Sequence, residues 1–160
     1  MDQRPDFSVP IEERYFEDYV PGLEQVYGTI RVTEADILDY AHRWDPQDMH
    51  IDREKAACGP FGGLIASGWH TAAMLMRLYA DNYLSKCASL ASPGLDELRW
   101  RKPVRPGDAL SIRVRVLAAE RSRSKPDRGL VRTGIEVFNQ NGEVVMSLQA
   151  MNLIACRSPA

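Results

Sequence analysis

Apolar residues along the chain mark two helical segments followed by a run of strands. The first segment begins after Thr33, which is a good helix N-cap and has Asp36 three residues on. Its apolar residues have the spacing of a single helical face: Ile37, Tyr40, Ala41 and Trp44. Pro46 ends the segment. The pattern predicts a short amphipathic helix whose apolar stripe, including Trp44, is buried.

The second helical segment covers about residues 67–83 and is apolar on more than one face. Its apolar residues are Trp69, Ala72, Ala73, Leu75, Met76, Leu78, Tyr79 and Tyr83. A helix that is apolar nearly all round is buried by neighbours on several sides. We therefore expect this helix to form the centre of the domain.

Most of the remaining chain has strand patterns. The strand segments are residues 26–32, 96–102, 110–116, 130–138 and 143–154. Residues 139–142, Asn-Gln-Asn-Gly, are a hairpin signal between the last two. One long buried helix followed by antiparallel strands indicates an α+β fold with a sheet wrapped around the helix. Such a sheet has edges, and pairing them across a two-fold axis makes a homodimer the expected assembly.

The length and composition are those of one globular domain. The chain has 160 residues, of which 44% are hydrophobic and 26% charged. Residues 1–12 lack a periodic pattern and are expected to form a flexible N-terminal arm, and residues 13–157 a single domain. The polar N-terminus and the absence of any run of eighteen apolar residues predict a cytoplasmic protein with no membrane span.

Charge and cysteine content argue against several classes of function. A formal net charge of −2 without a long basic run makes nucleic-acid binding a poor hypothesis. Cys58, Cys87 and Cys156 are far apart and form no CxxC pair. We therefore expect three reduced, mostly buried thiols and neither disulfides nor a metal site.

The three histidines differ in their surroundings. His42 lies off the apolar stripe of the first helix and is predicted to be solvated, while His70 in the buried helix is predicted to satisfy a local hydrogen bond. His50 lies in the loop after Asp45, among several carboxylates. A neighbouring carboxylate can fix the tautomer of an imidazole or raise its pKa for acid/base work. On the Asp-x4-His spacing alone, however, a surface salt bridge is the simpler interpretation.

A glycine-rich segment leads from this loop into the buried helix. It runs over residues 61–69, Phe-Gly-Gly-Leu-Ile-Ala-Ser-Gly-Trp. Amide hydrogens in the first turn of a helix have no partner within the helix and favour negative charge. We interpret Gly62 and Gly63 as turn residues and Gly68 as a donor to a developing oxyanion.

Together these motifs resemble those of the MaoC-like (R)-specific enoyl-CoA hydratases, which have the hotdog fold. The resemblance covers residues 15–18, the Asp45–His50 motif, the glycine-rich start of the helix, and residues 99–108. It implies a homodimer in which Asp45 and His50 are the catalytic pair and the Gly68 amide binds the oxyanion. The implied reaction adds water to a trans-2-enoyl thioester of coenzyme A or of an acyl-carrier protein, or removes it, without a metal or redox cofactor.

Three residues depart from the family pattern. Gln47 stands where the motif commonly has Asn, and we expect its amide to remain in the substrate-binding site. Asp48 is expected to add a carboxylate beside the catalytic pair. Met76 replaces a small polar residue of some members, which predicts a differently lined acyl pocket.

Other interpretations remain open at this point. A hotdog acyl-CoA thioesterase would direct the activated water at the carbonyl carbon, and a non-catalytic acyl-binding or partner subunit would need no acid/base pair. Basic residues are candidates for contacts to coenzyme A phosphates, although a basic surface arises equally by chance. They are Arg99, Arg101, Lys102, Arg121, Arg123, Lys125 and Arg128.

Overall fold

The computed structural model describes residues 7–158, which form one antiparallel sheet and a set of helices. The elements are β1 (Glu24–Arg31), α1 (Glu34–Trp44), α2 (Asp48–Ile51), α3 (Arg53–Cys58), α4 (Gly68–Asn82), β2 (Ser89–Trp100), β3 (Ala109–Arg121), β4 (Arg128–Phe138) and β5 (Val144–Ala155). The strand order is β1-β3-β4-β5-β2, which leaves β1 and β2 at the edges. The predicted α+β class is confirmed.

The core lies between α4 and one face of the sheet. The helix contributes apolar side chains such as Leu75 and Leu78, and β3 contributes alternating ones such as Ile112 and Val114. The alternation follows from the period of two in a strand, which directs every second side chain to the helix. The prediction of a central helix is confirmed, but burial on several sides is wrong, because only the face toward the sheet is buried and Trp69 is 57% exposed.

Residues 7–12 of the expected N-terminal arm pack against the domain, and residues 1–6 lie outside the described residues. Ile11 is buried. The guanidinium of Arg14 lies over the ring of Phe7 and donates hydrogen bonds to the carbonyl oxygens of Val9 and Tyr83. The prediction of a loose arm is therefore wrong for residues 7–12, because an apolar side chain and a buried guanidinium fix this segment.

Three details of the helices and thiols correct the sequence analysis. Trp44 is 69% exposed, because the last turn of α1 carries it into a surface cleft rather than the core. The segment after Asp45, which was predicted to be a loop, contains the short helices α2 and α3. Cys58 and Cys87 are exposed and only Cys156 is buried, so the prediction of mostly buried thiols is wrong.

The strand predicted at residues 96–102 is in fact the long edge strand β2. It pairs with β5 alone, and its register shifts at three points. Leu90 and Leu95 are exposed, and Glu97 has a φ of 53°. Because of these irregularities, apolar and polar residues do not alternate along β2, and the sequence pattern therefore did not show where the strand begins. Within residues 7–158, no helix is long and apolar enough to cross a membrane.

Candidate active site

The chain between α1 and α4 brings Asp45 and His50 together. Asp45 caps the C-terminus of α1, and Pro46 directly after it disfavours helical backbone at this point. His50 lies in α2, whose first turn closes through a hydrogen bond from the His50 N–H to the Gln47 carbonyl oxygen. The His50 Nε2 atom lies 3.5 Å from Asp45 Oδ2.

The Nδ1 atom of His50 fixes the orientation of the ring through a hydrogen bond. Nδ1 lies 2.8 Å from the carbonyl oxygen of Ile65, and a carbonyl can only accept a hydrogen bond. Nδ1 therefore carries the proton, and in the neutral ring Nε2 presents its lone pair toward Asp45. The side chain is 6% exposed, so this arrangement is shielded from bulk water.

Both carboxylate oxygens of Asp45 accept hydrogen bonds from neighbouring side chains. The Ser67 hydroxyl donates to Oδ2 at 2.6 Å, and the Gln47 amide donates to Oδ1 at 2.7 Å. The Ser67 hydrogen bond is the largest cause that holds the pKa of Asp45 below its usual value. The Gln47 hydrogen bond and the nearby His50 lower this pKa further, while burial opposes them. Asp45 is thus an ionised acceptor at neutral pH.

A cleft of about 370 Å³ opens beside these side chains. Its polar end contains Asp45, Gln47 and His50, next to Gly68 at the start of α4. Its other walls are mainly apolar or aromatic: Phe61, Ile65, Ala66, Trp69, Trp100, Pro103, Val104 and Val145. An apolar cleft with a few convergent polar groups is the usual form of a small-molecule site.

Gly68 is the first residue of α4, and the Trp100 ring covers it. A Cβ built at this glycine would lie 2.4 Å from Trp100 Cε2, so only a glycine fits beneath the indole. The Trp100 ring in turn makes an edge contact with Trp69, with centroids 5.2 Å apart. Close packing against Trp100 therefore requires a glycine at position 68, and this requirement is compatible with the predicted role of its N–H, which has no partner within the first helical turn.

Sequence reasoning placed four of these residues in the site: Asp45, Gln47, His50 and Gly68. It missed Ser67 and Trp100, which lie outside the recognised acid/base pattern. The Gln47 amide is bonded to Asp45, so it orients the carboxylate rather than extending freely into the cleft. Of the proposed basic contacts, Arg101 and Lys102 line the cleft.

Asp48 and Met76 lie away from this arrangement. The Asp48 carboxylate forms an exposed ion pair with Lys55, with distances of 3.1 and 3.2 Å from Lys55 Nζ to its two oxygens. The expectation of an extra carboxylate beside the catalytic pair is therefore wrong, because α2 directs Asp48 to the opposite side from His50. Met76 is exposed on α4 and is not among the residues that line the cleft.

Of the predictions for the other two histidines, one is confirmed and one is wrong. His42 is exposed, as expected. His70 is buried and stacks on Tyr40 with ring centroids 4.6 Å apart. Its Nδ1 atom has no hydrogen-bond partner among the described residues, so the predicted local hydrogen bond is wrong. Across residues 7–158, no cluster of three or more His, Cys, Asp or Glu side chains could hold a metal ion.

Comparison with known proteins assigns the chain to a family. Residues 20–138 match the MaoC like domain family. The protein is a member of this family. Its sequence is 35% identical to 3-hydroxyacyl-thioester dehydratase Z of Mycobacterium tuberculosis over 114 residues, which cover 68% of this chain and 73% of that protein.

Solved structures agree with the family assignment. The MaoC-like dehydratase from Rhodospirillum rubrum is 40% identical, with a TM-score of 0.84 over 91% of this chain and 99% of that one. The R-hydratase PhaJ1 from Pseudomonas aeruginosa is 28% identical, with a TM-score of 0.70 over 90% of this chain and 86% of that one. The predicted hotdog fold is confirmed.

Proposed function

We propose that the protein adds water to a trans-2-enoyl thioester to give an (R)-3-hydroxyacyl thioester, or catalyses the reverse dehydration. The observation that carries this proposal is the 3.5 Å approach of Asp45 Oδ2 and His50 Nε2 at the polar end of the cleft. The named hydratase and dehydratase relatives support the same reaction class. Asp45 and His50 are the proposed catalytic residues.

The proposed pair is suited to hold one water molecule. Asp45 is ionised, and the neutral form of His50, which carries its proton on Nδ1, presents a lone pair at Nε2, so both facing atoms are acceptors in that form. A water that donates one hydrogen bond to each would satisfy both. The lone pairs of its oxygen would then face the carbons of a bound substrate, which is the orientation needed for attack.

Proton transfer in this scheme passes through His50. As the water oxygen bonds to C3 of the substrate, one water proton moves to His50 Nε2, and the carboxylate of Asp45 stabilises the imidazolium. His50 then returns that proton to C2, on the same face as the new hydroxyl. Because a lowered pKa keeps Asp45 unprotonated, it has no proton of its own to supply. Water is consumed and both protein groups are restored.

Gly68 is the proposed donor to the thioester oxygen. Negative charge develops there when water adds to C3, and the N–H at the start of α4 has no partner within the helix. One donor of this kind contributes about 3–4 kcal/mol to barrier lowering in enzymes where it has been removed. The scheme uses the thioester and water, and it assigns no step to a metal or redox cofactor.

A cytoplasmic homodimer remains the proposed assembly. The edge strand β2 exposes Leu90, Leu95 and Trp100, and α4 exposes Trp69 and Met76. A second copy paired along β2 would cover this apolar surface and the free strand edge. Light scattering on the purified protein tests this, with twice the chain mass expected and a monomer at micromolar concentration contradicting it.

The activity is tested with crotonyl-CoA as substrate. Loss of the conjugated enoyl absorbance and release of free thiol are followed in parallel. Hydration without thiol release supports the proposed function, whereas stoichiometric thiol release supports the thioesterase alternative. No reaction across enoyl chains of several lengths, with either coenzyme A or acyl-carrier protein as the carrier, contradicts a catalytic role.

A further inference from the structure

We propose that the outer face of the sheet, on the side away from α4, binds a phosphate-bearing ligand. A hollow of about 480 Å³ lies there, which is within the usual size range of small-molecule sites. Arg99, Arg101 and Arg115 are the proposed contacts to the phosphate oxygens. None of these side chains has a step in the proposed reaction, so the inference stands independently of it.

Side-chain alternation along β3 and β2 directs these arginines to the outer face. Val114 on β3 is buried in the core, so Arg115 beside it points away from α4. At the end of β2, Trp100 lies over the start of α4, which places its neighbours Arg99 and Arg101 on the opposite face. All three arginines line the hollow.

The floor between these arginines is low. Strands β4 and β5 separate β3 from β2, and three strand spacings correspond to about 14 Å. Ser147 on β5 is the register partner of Arg99, and its hydroxyl accepts a hydrogen bond from Arg101 Nε at 2.8 Å. Long arginine side chains on β3 and β2 therefore stand on either side of a short one, and the space between them forms the hollow.

The acidic side chains of the hollow already have partners. Glu136 forms an ion pair with Arg113 at 2.8 Å, and Glu24 lies 3.9 Å from the Nε atom of the same arginine. Glu97 accepts a hydrogen bond from the Gln149 amide at 3.0 Å. Four arginines and three glutamates line the hollow. Two of the three carboxylates are therefore directed to a single arginine, Arg113.

The other three guanidinium groups form no ion pair with a carboxylate of residues 7–158. Arg99 donates a hydrogen bond to the carbonyl oxygen of Leu98, its neighbour in sequence, and Arg101 donates to the Ser147 hydroxyl. Arg115 is exposed and has neither a side-chain hydrogen bond nor an ion pair within the same range. Like charges around one hollow repel one another, and an anion bound between them removes that repulsion.

A diphosphate suits this arrangement better than a carboxylate does. The guanidinium group is a planar fork that binds phosphate oxygens through two parallel hydrogen bonds. A carboxylate has two oxygens and is occupied by one such fork, whereas a diphosphate offers oxygens to arginines on both sides of the hollow. The ligand class that we assign is therefore a diphosphate, free or as part of a larger molecule.

A diphosphate can reach this site from two sources. Arg101 lines both the hollow and the catalytic cleft, so the diphosphate of coenzyme A can reach the hollow around this end of β2 while the thioester lies in the cleft. A free diphosphate, such as that of a nucleotide, is the other source. It can also enter in a dimer paired along β2, because such pairing leaves the outward side chains exposed.

Calorimetric titration of the full chain with inorganic pyrophosphate at low ionic strength tests the site. One pyrophosphate is expected to bind per chain. Arg99→Gln and Arg115→Gln are each expected to raise Kd by about 10-fold or more, the effect of losing a hydrogen bond between charged groups. Arg115→Lys is expected to recover little of the affinity, because it keeps the charge but loses the fork.

Arg132→Gln is the matched control for the loss of one positive charge. Arg132 lies on the outer face of β4, between buried neighbours, but it is not among the residues that line the hollow. Its guanidinium already donates to the Asp96 carboxylate at 2.6 Å. We expect this variant to bind pyrophosphate almost as tightly as the unmodified protein.

Three results would overturn the proposal. They are the absence of pyrophosphate binding, an Arg115→Gln or Arg115→Lys protein with an unchanged Kd, and an Arg132→Gln protein that is weakened as much as Arg115→Gln. The last two would show that only general charge attraction acts on the anion.

The source of the diphosphate is identified by KM values for crotonyl-CoA and for crotonyl-pantetheine, which lacks the phosphates. A rise in the KM of Arg115→Gln for crotonyl-CoA alone assigns the site to the diphosphate of coenzyme A. Unchanged KM values for both substrates assign it to a free diphosphate. If the unmodified protein hydrates neither substrate, the proposed function fails, while the pyrophosphate titration still tests the site.

Discussion

Replacement of Gly68 by alanine tests whether the glycine is required by the ring that covers it. The added Cβ would lie 2.4 Å from Trp100 Cε2 and 2.5 Å from Nε1, where ordinary packing begins at 3.4 Å. The indole must therefore retreat by about 1 Å. The backbone of Gly68 itself is not in the left-handed region, so the Trp100 contact is the main obstacle to an alanine.

The energetic cost of this retreat can be bounded. Overpacking in a protein interior typically costs about 1–3 kcal/mol. The edge contact between Trp100 and Trp69 contributes about 0.5–1.5 kcal/mol, and part of it is lost when the indole moves. Trp100 is half exposed on an edge strand, so its ring can move outward. We therefore expect Gly68→Ala to lower the free energy of unfolding by about 1–2 kcal/mol, which is at the lower end of the overpacking range. The ring also lines the cleft, so a shift of this size is expected to reduce kcat/KM by about 100-fold.

The assay compares kcat/KM for crotonyl-CoA and the free energy of unfolding in denaturant. Gly134→Ala is the matched control, because its Cβ would meet Leu117 at 3.4 Å, an ordinary contact on a different part of the sheet. The double variant Gly68→Ala with Trp100→Val removes the clash, so its two changes are expected to be non-additive. A Gly68→Ala protein with unchanged kcat/KM, or a double variant whose losses simply add, would refute the reasoning.

Four further substitutions test other parts of the proposed site and the core. Asp45→Asn and His50→Asn are each expected to lower hydration by about 100-fold or more while the protein stays folded, as general acid–base groups do when removed; near-full activity of either rejects that residue. Asp48→Asn is expected to leave kcat unchanged, because its carboxylate is bound by Lys55 away from the pair. Burial lowers the pKa of His70, so the folded protein should lose stability as the pH falls below about 6.5, where the unfolded chain takes up the proton first. Unfolding midpoints of His70→Phe at pH 5 and pH 7 should differ less than those of the unmodified protein, and an equal difference contradicts the assignment.

The sequence predicted the elements that have strong periodicity. The helix containing Leu75 and Leu78 and the alternating strand containing Ile112 and Val114 were located because burial imposes a period of 3.6 or 2 on apolar residues. The edge strand β2 was mislocated, because it has a single neighbour and shifts register at three points. Trp44 was misassigned because periodicity describes one face of a helix and does not show where its neighbours end.

The candidate site was predicted only as far as its motif extends. Asp45 and His50 were found by their spacing and by family resemblance. Ser67 was not found, because a serine before a helix ordinarily indicates only an N-cap, and its contact with Asp45 spans 22 positions in sequence. Trp100 was missed for a similar reason, since a half-exposed tryptophan on an edge strand has no local pattern that places it over Gly68.

The most direct test of the proposed reaction is the position of oxygen derived from solvent in the product. Crotonyl-CoA is incubated with the protein in water enriched in oxygen-18, and the products are separated and examined by mass spectrometry. The account predicts an intact thioester that carries one heavy oxygen in the C3 hydroxyl group, with the (R) configuration at that carbon. Heavy oxygen found in a free carboxylate, with coenzyme A released, would contradict it.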